Sequence, residues 1–523
     1  MKILHKYSWV DGFVDYYRAA DEYRVHVRIM HPVRRLDDLY VVRPESLRLV
    51  WNYLRDVGPL TVIRKIQSRR REAFRNEKYL AIGTGEIVER PNDGRFALDQ
   101  TVLFIAPAHP ACVERIVLPE TLLSEPRGLS LTFCVEEGIR FFKFLPDDSP
   151  IWESIAGWSP YSGTPLDPVR CCEALEAAGR RLRSLKQNPH DLSLETTSSV
   201  HERSEKASPN LPGMRAVLFG YGNFAKATVL PHLPTGIRLA CVHEIDPTQI
   251  PTGALAAGVA PVWDSSPTVR QDERYDIYLV AGFHHTHAPI ACRGLAQGAA
   301  VMVEKPIAVT YEQLERLLSH LRNGNGKLFA CFQRRFSSFN ALVWEDLGIT
   351  TGEPISYHAI VYETPLPTRH WYNWPNSKSR LVSNGCHWLD HFLYLNDFSK
   401  PSRHALHIAS DGTLNCSVEL ENGAFFTMVL TNCGSPRIGV QDYVELRHGD
   451  RTVKIVNNSQ YFAETSTRIL RRRRISKIEC YASMYRSIGE QILRGENGDS
   501  VLSVDVSTRL MLDLEYEFVQ LQS

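Results

Sequence analysis

The chain has 523 residues, more than one hydrophobic core organises, so about two to four domains are expected. Lys and Arg number 60 against 59 Asp and Glu, and the net charge of +1 gives no reason to expect nucleic acid or an anionic membrane as a partner. With 43% hydrophobic and 23% charged residues, no apolar run long enough to cross a bilayer and no signal-peptide core in MKILHKYSWVDGF, the chain reads as a globular cytoplasmic protein. Its 11 cysteines are scattered without a CxxC pair, which suits reduced thiols and argues against a structural zinc site.

In chain order, residues 1–125 hold a β-rich stretch, AIGTGEIVERPNDGRFALDQTVLF, and residues 126–185 stay unassigned and partly helical. Residues 186–213, rich in Ser, Thr, Glu, Asn and Pro, read as a linker. From 214 the pattern alternates. MRAVLFG is a short apolar strand, NFAKATVLPHL a helix, IRLACVHEI a second strand and YDIYLVAG a third. A helix at HAPIACRGLAQG, the strand AVMVEKP, the helix VTYEQLERLLSHL and the strand KLFACF complete the set near residue 336. Strands alternating with helices predict a doubly wound parallel sheet, a Rossmann domain over 214–336. Residues 337–523 read as an α+β substrate-binding domain with an open antiparallel sheet: LNCSVELENGAFFTMVLTN and DYVELRHGDRTVKIVNN each place a turn signal between two strand-like runs.

Gly220-Tyr221-Gly222-Asn223-Phe224-Ala225 is a GxGxxA that follows a strand and opens a helix, the context in which it binds a dinucleotide. Gly220 permits the tight turn, Gly222 the approach of backbone to pyrophosphate, and Ala225 close helix packing. Glu244 lies 24 residues after Gly220, where an acid takes the ribose hydroxyls; a carboxylate there favours NAD, with NADP not excluded.

The stretches GYGNFAKATVLPHL, AGFHHTHAPIACRGLAQGAAVMVEKPIAV, RRF (334–336) and NGCHWLDHFLYL together resemble the Gfo/Idh/MocA oxidoreductase family over about residues 214–523. The resemblance implies a Rossmann domain joined to an open-sheet substrate domain. It also implies hydride transfer between NAD(P) and a sugar-like or other small hydroxyl (or imine) substrate, in a biosynthetic role. The N-terminal module resembles a degenerate GroES-like barrel of medium-chain dehydrogenases, as in two-module bacterial fusion proteins; it lacks the Gly-His-Glu and cysteine zinc ligands, and no second glycine fingerprint follows it.

By that resemblance Lys305 of Glu304-Lys305-Pro306 stands near the nicotinamide and the reacting hydroxyl, and Thr286 and His287 approach the cofactor. A lysine beside the positive oxidised ring should have a lowered pKa and share a proton with the hydroxyl. Thr310-Tyr311-Glu312-Gln313 reads as a capping box for the next helix. His387 is the second proton carrier, with Asp390 three residues on and able to orient it. His391, at i+4, permits a two-histidine face, but no third ligand is evident and no metal is expected. Many relatives carry an acid four residues before the histidine; here that position is Ser383. Arg335, His370, Trp371, Arg380 and Asn384 are candidate substrate contacts. The basic run Arg471 to Arg474 reads as a solvated edge or as a sign of an anionic, nucleotide-linked substrate. A homo-oligomer through the C-terminal sheet is expected. An enzyme using transient oxidation for elimination or hydrolysis, and a non-catalytic dinucleotide-binding scaffold or sensor, are the alternatives the residues leave open.

Overall fold

A computed structural model describes residues 3–5, 8–10, 18–35, 78–110, 113–125, 213–222, 224–244, 258–262, 274–366, 371–373, 375–435, 439–475 and 479–522, with short pieces at 51, 54–55, 169–170, 173–174, 176–177 and 255. Of the linker assigned to 186–213, residues 186–212 lie outside the described residues, as does most of 126–185. In the N-terminal part a short hairpin pairs β1 (Ile3–His5) with β2 (Ser8–Val10). A second sheet joins β3 (Glu22–Arg35), β4 (Lys78–Glu89), β5 (Thr101–Pro110), β6 (Arg115–Pro119) and β7 (Leu123–Ser124) in the order β6-β3-β4-β5-β7, every neighbour antiparallel. Its buried side chains include Tyr23, Val25, Ile82, Phe104 and Leu118. Tyr23 is fastened through its hydroxyl, which donates to Glu120 at 2.7 Å and accepts from the Phe96 N–H at 3.3 Å.

The second unit is a six-stranded parallel sheet of β8 (Met214–Phe219), β9 (Ile237–His243), β10 (Ala260–Val262), β11 (Ile277–Val280), β12 (Ala300–Glu304) and β13 (Lys327–Cys331), ordered β10-β9-β8-β11-β12-β13. The strand order reverses between β8 and β11, and doubly wound sheets bind ligands at such a reversal. Side chains alternate between two covered faces. Val217, Phe219, Tyr278, Val301 and Val303 pack on the side of α1 (His287–Ala296) and α2 (Tyr311–Asn323). Ala216, Leu218, Leu279, Met302 and Phe329 face the other way, onto Met484, Tyr485, Ile488 and Ile492. The helix expected over NFAKATVLPHL is instead a wide π turn, Ala225–Val229, that tightens into a 3₁₀ turn, Leu230–His232. Pro231 explains this: it has no N–H to continue an α ladder.

The third unit carries α3 (Phe339–Leu347), β14 (Ser356–Tyr362), α4 (Cys386–Leu395), β15 (Pro401–Ile408), β16 (Leu414–Leu420), β17 (Phe425–Thr431), β18 (Gln441–His448), β19 (Arg451–Val456), β20 (Gln460–Glu464), β21 (Ile469–Arg474), α5 (Glu479–Leu493) and α6 (Val501–Gln522). Both expected hairpins form, at Asn422-Gly423 and at Gly449-Asp450. One side of the eight-stranded sheet packs on helices, and the alternation in β16, with Leu414, Cys416, Val418 and Leu420 inward, shows why. The antiparallel expectation needs one correction: β14 lies between β18 and β17 and runs parallel to β17. From beyond the boundary drawn near 336, α5 supplies the residues that cover the second face of the parallel sheet. On the outer side of the large sheet Ile360 and Phe425 are exposed. No helix among the described residues is long and apolar enough to cross a membrane.

Candidate functional site

The glycine turn leaves β8 at the strand-order reversal. Gly220 has φ +90°, and a Cβ there would stand 2.6 Å from the Ala281 carbonyl oxygen, so the turn presses against the end of β11. A Cβ on Gly222 would meet nothing within 4 Å among the described residues. Glu244, just past β9, accepts the Tyr221 N–H at 2.6 Å and so sits against the turn. Lys226 lies over the Tyr221 ring at 4.5 Å. Phe224 meets Tyr481 and Tyr485 edge-on at 5.9 and 6.5 Å, and Ala225 is buried. Asn223 lies outside the described residues. A glycine turn at the strand reversal with a carboxylate at the next strand end fits a dinucleotide. Gly220→Ala is expected to lower both the melting temperature and the NADH affinity, because the strain of roughly 1–3 kcal/mol at a left-handed residue adds to the overlap with Ala281. Wild-type values for both in thermal melts and fluorescence titration would contradict this.

The crevice wall is built by the loops after β11 and β12. Thr286 donates its hydroxyl to the Phe283 carbonyl at 2.7 Å. His287 is buried, with Nδ1 2.8 Å from the Pro306 carbonyl and Nε2 3.1 Å from that of Gly282. A neutral imidazole donates to only one of them at a time, and burial pushes this ring down to about 4. Both nitrogens face backbone, so the His287 ring braces the wall that is expected to approach a cofactor. His284 donates from Nδ1 to the Ser377 carbonyl at 3.2 Å, and burial followed by the Lys305 charge lowers it to about 2. Gln313 completes the brace. Its N–H donates to the Thr310 hydroxyl, its Oε1 accepts the Val309 N–H, and its Nε2 donates to the His285 carbonyl. The capping residues therefore tie α2 to this loop.

The Lys305–Pro306 peptide is cis. Lys305 Nζ donates to the backbone carbonyl of Ser383 at 2.6 Å and lies 5.8 Å from the Tyr372 ring centre. Burial opposes its charge, but Tyr372, Cys386, Glu304 and Tyr481 outweigh that and hold it above the ordinary lysine range. In the protein alone, then, Lys305 is an ammonium; the lowering expected beside a positive nicotinamide would have to overcome this. Glu304, expected near the cofactor, is buried and accepts the Tyr485 hydroxyl from α5, and burial lifts it to about 7.

Ser383 lies in a second π turn, Leu381–Gly385, that leads into α4; such turns recur at functional sites. Where an acidic side chain was sought, the chain offers a backbone oxygen. His387, one turn on, is buried, and its Nδ1 has no hydrogen-bond partner among the described residues. Burial, then the charges of Lys305 and Arg334, hold it neutral. His391 is structural, with Nε2 3.0 Å from Asn340 Oδ1 and Nδ1 3.1 Å from the Tyr357 hydroxyl.

One expectation is corrected by hydrogen bonding. Asp390 does not orient His387: Arg335 Nε donates to its Oδ2 at 2.8 Å, Arg335 Nη2 to its Oδ1, and Ser507 to Oδ1 at 2.6 Å. Arg335 also donates to Asp499 and packs on Phe332 and Phe398, so the residue expected to touch substrate is engaged within the fold. Trp371 stacks edge-on against Phe283 at 5.2 Å and His284 at 4.7 Å, which sets the following Tyr372 over Lys305. His370 lies outside the described residues. Arg380 Nη1 and Asn384 Nδ2 both donate to Glu363, at 3.3 and 2.7 Å. Glu363 and Tyr372 escape sequence reasoning; Tyr372 adjoins a named aromatic, whereas nothing at the end of SYHAIVY marks Glu363. The basic run is β21 at the sheet edge, where Arg471 pairs with Glu345 and Asp346 and Arg472 lies over Phe462; edge charge of this kind blocks strand addition. Among the described residues no three His, Cys, Asp or Glu side chains gather as metal ligands.

No curated protein sequence matches the chain. Among solved structures, an aldose-aldose oxidoreductase from Caulobacter crescentus in complex with glycerol is 16% identical, with 60% of this chain and 98% of that chain covered and a TM-score of 0.49. A 3-ketoreductase from Actinomadura kijaniata in complex with NADP and TDP-benzene is 17% identical (58% and 96% covered, TM-score 0.47). The WlbA dehydrogenase from Bordetella pertussis in complex with NADH and UDP-GlcNAcA is 16% identical (59% and 96% covered, TM-score 0.48). The model of an oxidoreductase family with an NAD-binding Rossmann fold matches residues 214–332, the segment that carries the glycine turn, the braced wall and Lys305. Over those residues the chain is similar to the NAD-binding Rossmann domain of the Gfo/Idh/MocA oxidoreductase family.

Proposed function

We propose that the protein transfers hydride between a nicotinamide dinucleotide and a sugar-like or other small hydroxyl (or imine) substrate, with Lys305 and His387 handling the proton. The observation that carries this reading is Lys305 Nζ seated on the Ser383 carbonyl at 2.6 Å, in the turn that leads directly into the buried His387, whose Nδ1 has no hydrogen-bond partner among the described residues. Gly220, Gly222 and Glu244 would hold the dinucleotide, and Glu244 favours NAD because a carboxylate repels a 2′-phosphate. When bound, the nicotinamide supplies the hydride acceptor or donor. Lys305 gives one N–H to Ser383 and keeps others for the substrate oxygen, where they stabilise developing negative charge. His387 Nδ1, neutral and unpartnered among the described residues, takes the hydroxyl proton in oxidation and returns it in reduction. The exposed outer face of the large sheet, with Ile360 and Phe425, suits a homo-oligomer. The GroES-like reading of residues 1–125 rests on the GTGEIVE likeness and the antiparallel sheet.

NADH at about 100 times its Kd is expected to stabilise the protein by roughly 2.7 kcal/mol, read as a rise in melting temperature. Absence of any shift with saturating NADH and with saturating NADPH would remove the dinucleotide reading.

A further inference from the structure

Beside Lys305 the position of the expected acid is a serine, yet the fold brings a carboxylate to this turn from another element. The pairing of β14 with β17 runs one step past the strand, Glu363 N–H donating to the Thr431 carbonyl at 2.8 Å, and this fixes Glu363 at the end of a central strand. Its side chain is buried, with the residue 9% exposed. Oε1 accepts Asn384 Nδ2 at 2.7 Å and Oε2 accepts Arg380 Nη1 at 3.3 Å. Both donors flank Ser383, whose carbonyl holds Lys305 Nζ at 2.6 Å, so one π turn positions the carboxylate and the ammonium together. Burial lifts the Glu363 carboxyl, and Asn384, Arg380 and Lys305 each act to keep it ionised.

The contrast with Asp390 is informative. Asp390 is fully buried and its two oxygens receive three hydrogen bonds, as a structural ion pair does. Glu363 receives two from the described residues, one of them long, against the about four acceptor positions that a carboxylate offers. Arg380 is itself divided between Glu363 and the Gly412 carbonyl and is partly exposed. Acceptor capacity therefore remains on a carboxylate that shares a turn with the proton-handling lysine.

We propose that Glu363 is the substrate-binding carboxylate of this site, accepting a hydrogen bond from a substrate hydroxyl next to the Lys305 ammonium. The substrate class that follows is a compound with neighbouring hydroxyls, one held by Glu363 and the other at Lys305. This rests on the hydride-transfer reading above.

The test compares wild type with Glu363→Gln and Glu363→Asp on a panel of free hexoses, inositols and UDP- or TDP-linked hexoses, following nicotinamide reduction. In parallel, acylation of Lys305 is measured against pH by peptide mass spectrometry. Glu363→Gln should lose roughly 10- to 100-fold in kcat/KM, the worth of one hydrogen bond to a charged group. Glu363→Asp should recover part of it, and NADH affinity should not change. The Lys305 titration should move down in Glu363→Gln, since a facing negative charge is gone. Wild-type kcat/KM in Glu363→Gln overturns the proposal. If wild type binds NADH but turns over no panel member, the hydride-transfer reading falls by itself. The titration then decides for Glu363: a downward move sustains its partnership with Lys305, and an unmoved one overturns it.

Discussion

Lys305→Met is expected to lower turnover of a hydroxyl substrate by about 10²- to 10⁴-fold, the usual contribution of a positioned proton-transfer group, while NADH affinity stays within about tenfold of wild type. Met approximates the length of the lysine stem and removes only the charge and its donors. The stem is half-buried, with its Nζ on the Ser383 carbonyl and 5.8 Å from the Tyr372 ring centre, so an apolar chain of similar length keeps the packing. What disappears is the N–H aimed at Ser383 and those available to a substrate oxygen. His387→Ala should act on the same step from the other side, because the imidazole there is held neutral and its Nδ1 has no hydrogen-bond partner among the described residues. Turnover within about threefold of wild type in Lys305→Met would remove the lysine from the chemistry and leave the dinucleotide fold intact, since such a change is under about 1 kcal/mol.

Much of this site is written in local sequence. The GxGxxA turn, the Glu-Lys-Pro strand end and the capped α2 are contiguous motifs whose physics is local: a left-handed glycine, a strand terminus, a side chain that closes a helix start. The alternation of strands and helices from 214 to 331 follows from the same short-range patterning. What the sequence hides is pairing at long separation. Arg335 meets Asp390 across 55 residues and Asp499 across 164. Glu363 reaches the turn at 381–385 because β14 settles beside β17, a parallel partner that no hairpin signal announces. Periodicity told which way a side chain faces; it carried no information on which distant residue it meets. A charged residue three positions from a candidate histidine was thus read as its partner, when a remote arginine had claimed it.

That reassignment has a second large consequence. Asp390→Ala is expected to cost about 3–5 kcal/mol of stability, because it leaves the buried Arg335 guanidinium with half its compensation. Arg335 keeps Asp499, which is partly exposed, and the faces of Phe332 and Phe398, but its two bonds to Asp390 and that residue's bond from Ser507 go together. The loss reaches three elements at once: the turn after β13, α4 and α6. Scaled by the entropy of unfolding of a mid-sized domain, this is a fall in melting temperature of roughly 10 °C or more. A catalytic Asp390 would behave in the opposite way, with an unchanged melt and a collapsed kcat, so thermal denaturation and turnover on the same sample separate the two roles. The double replacement Asp390→Leu with Arg335→Met sharpens the distinction. Exchanging a whole buried ion pair for apolar groups of similar volume is often neutral or better, so the double variant should melt above Asp390→Ala, and an equal or lower melting temperature would show that the pair is not what holds these elements together.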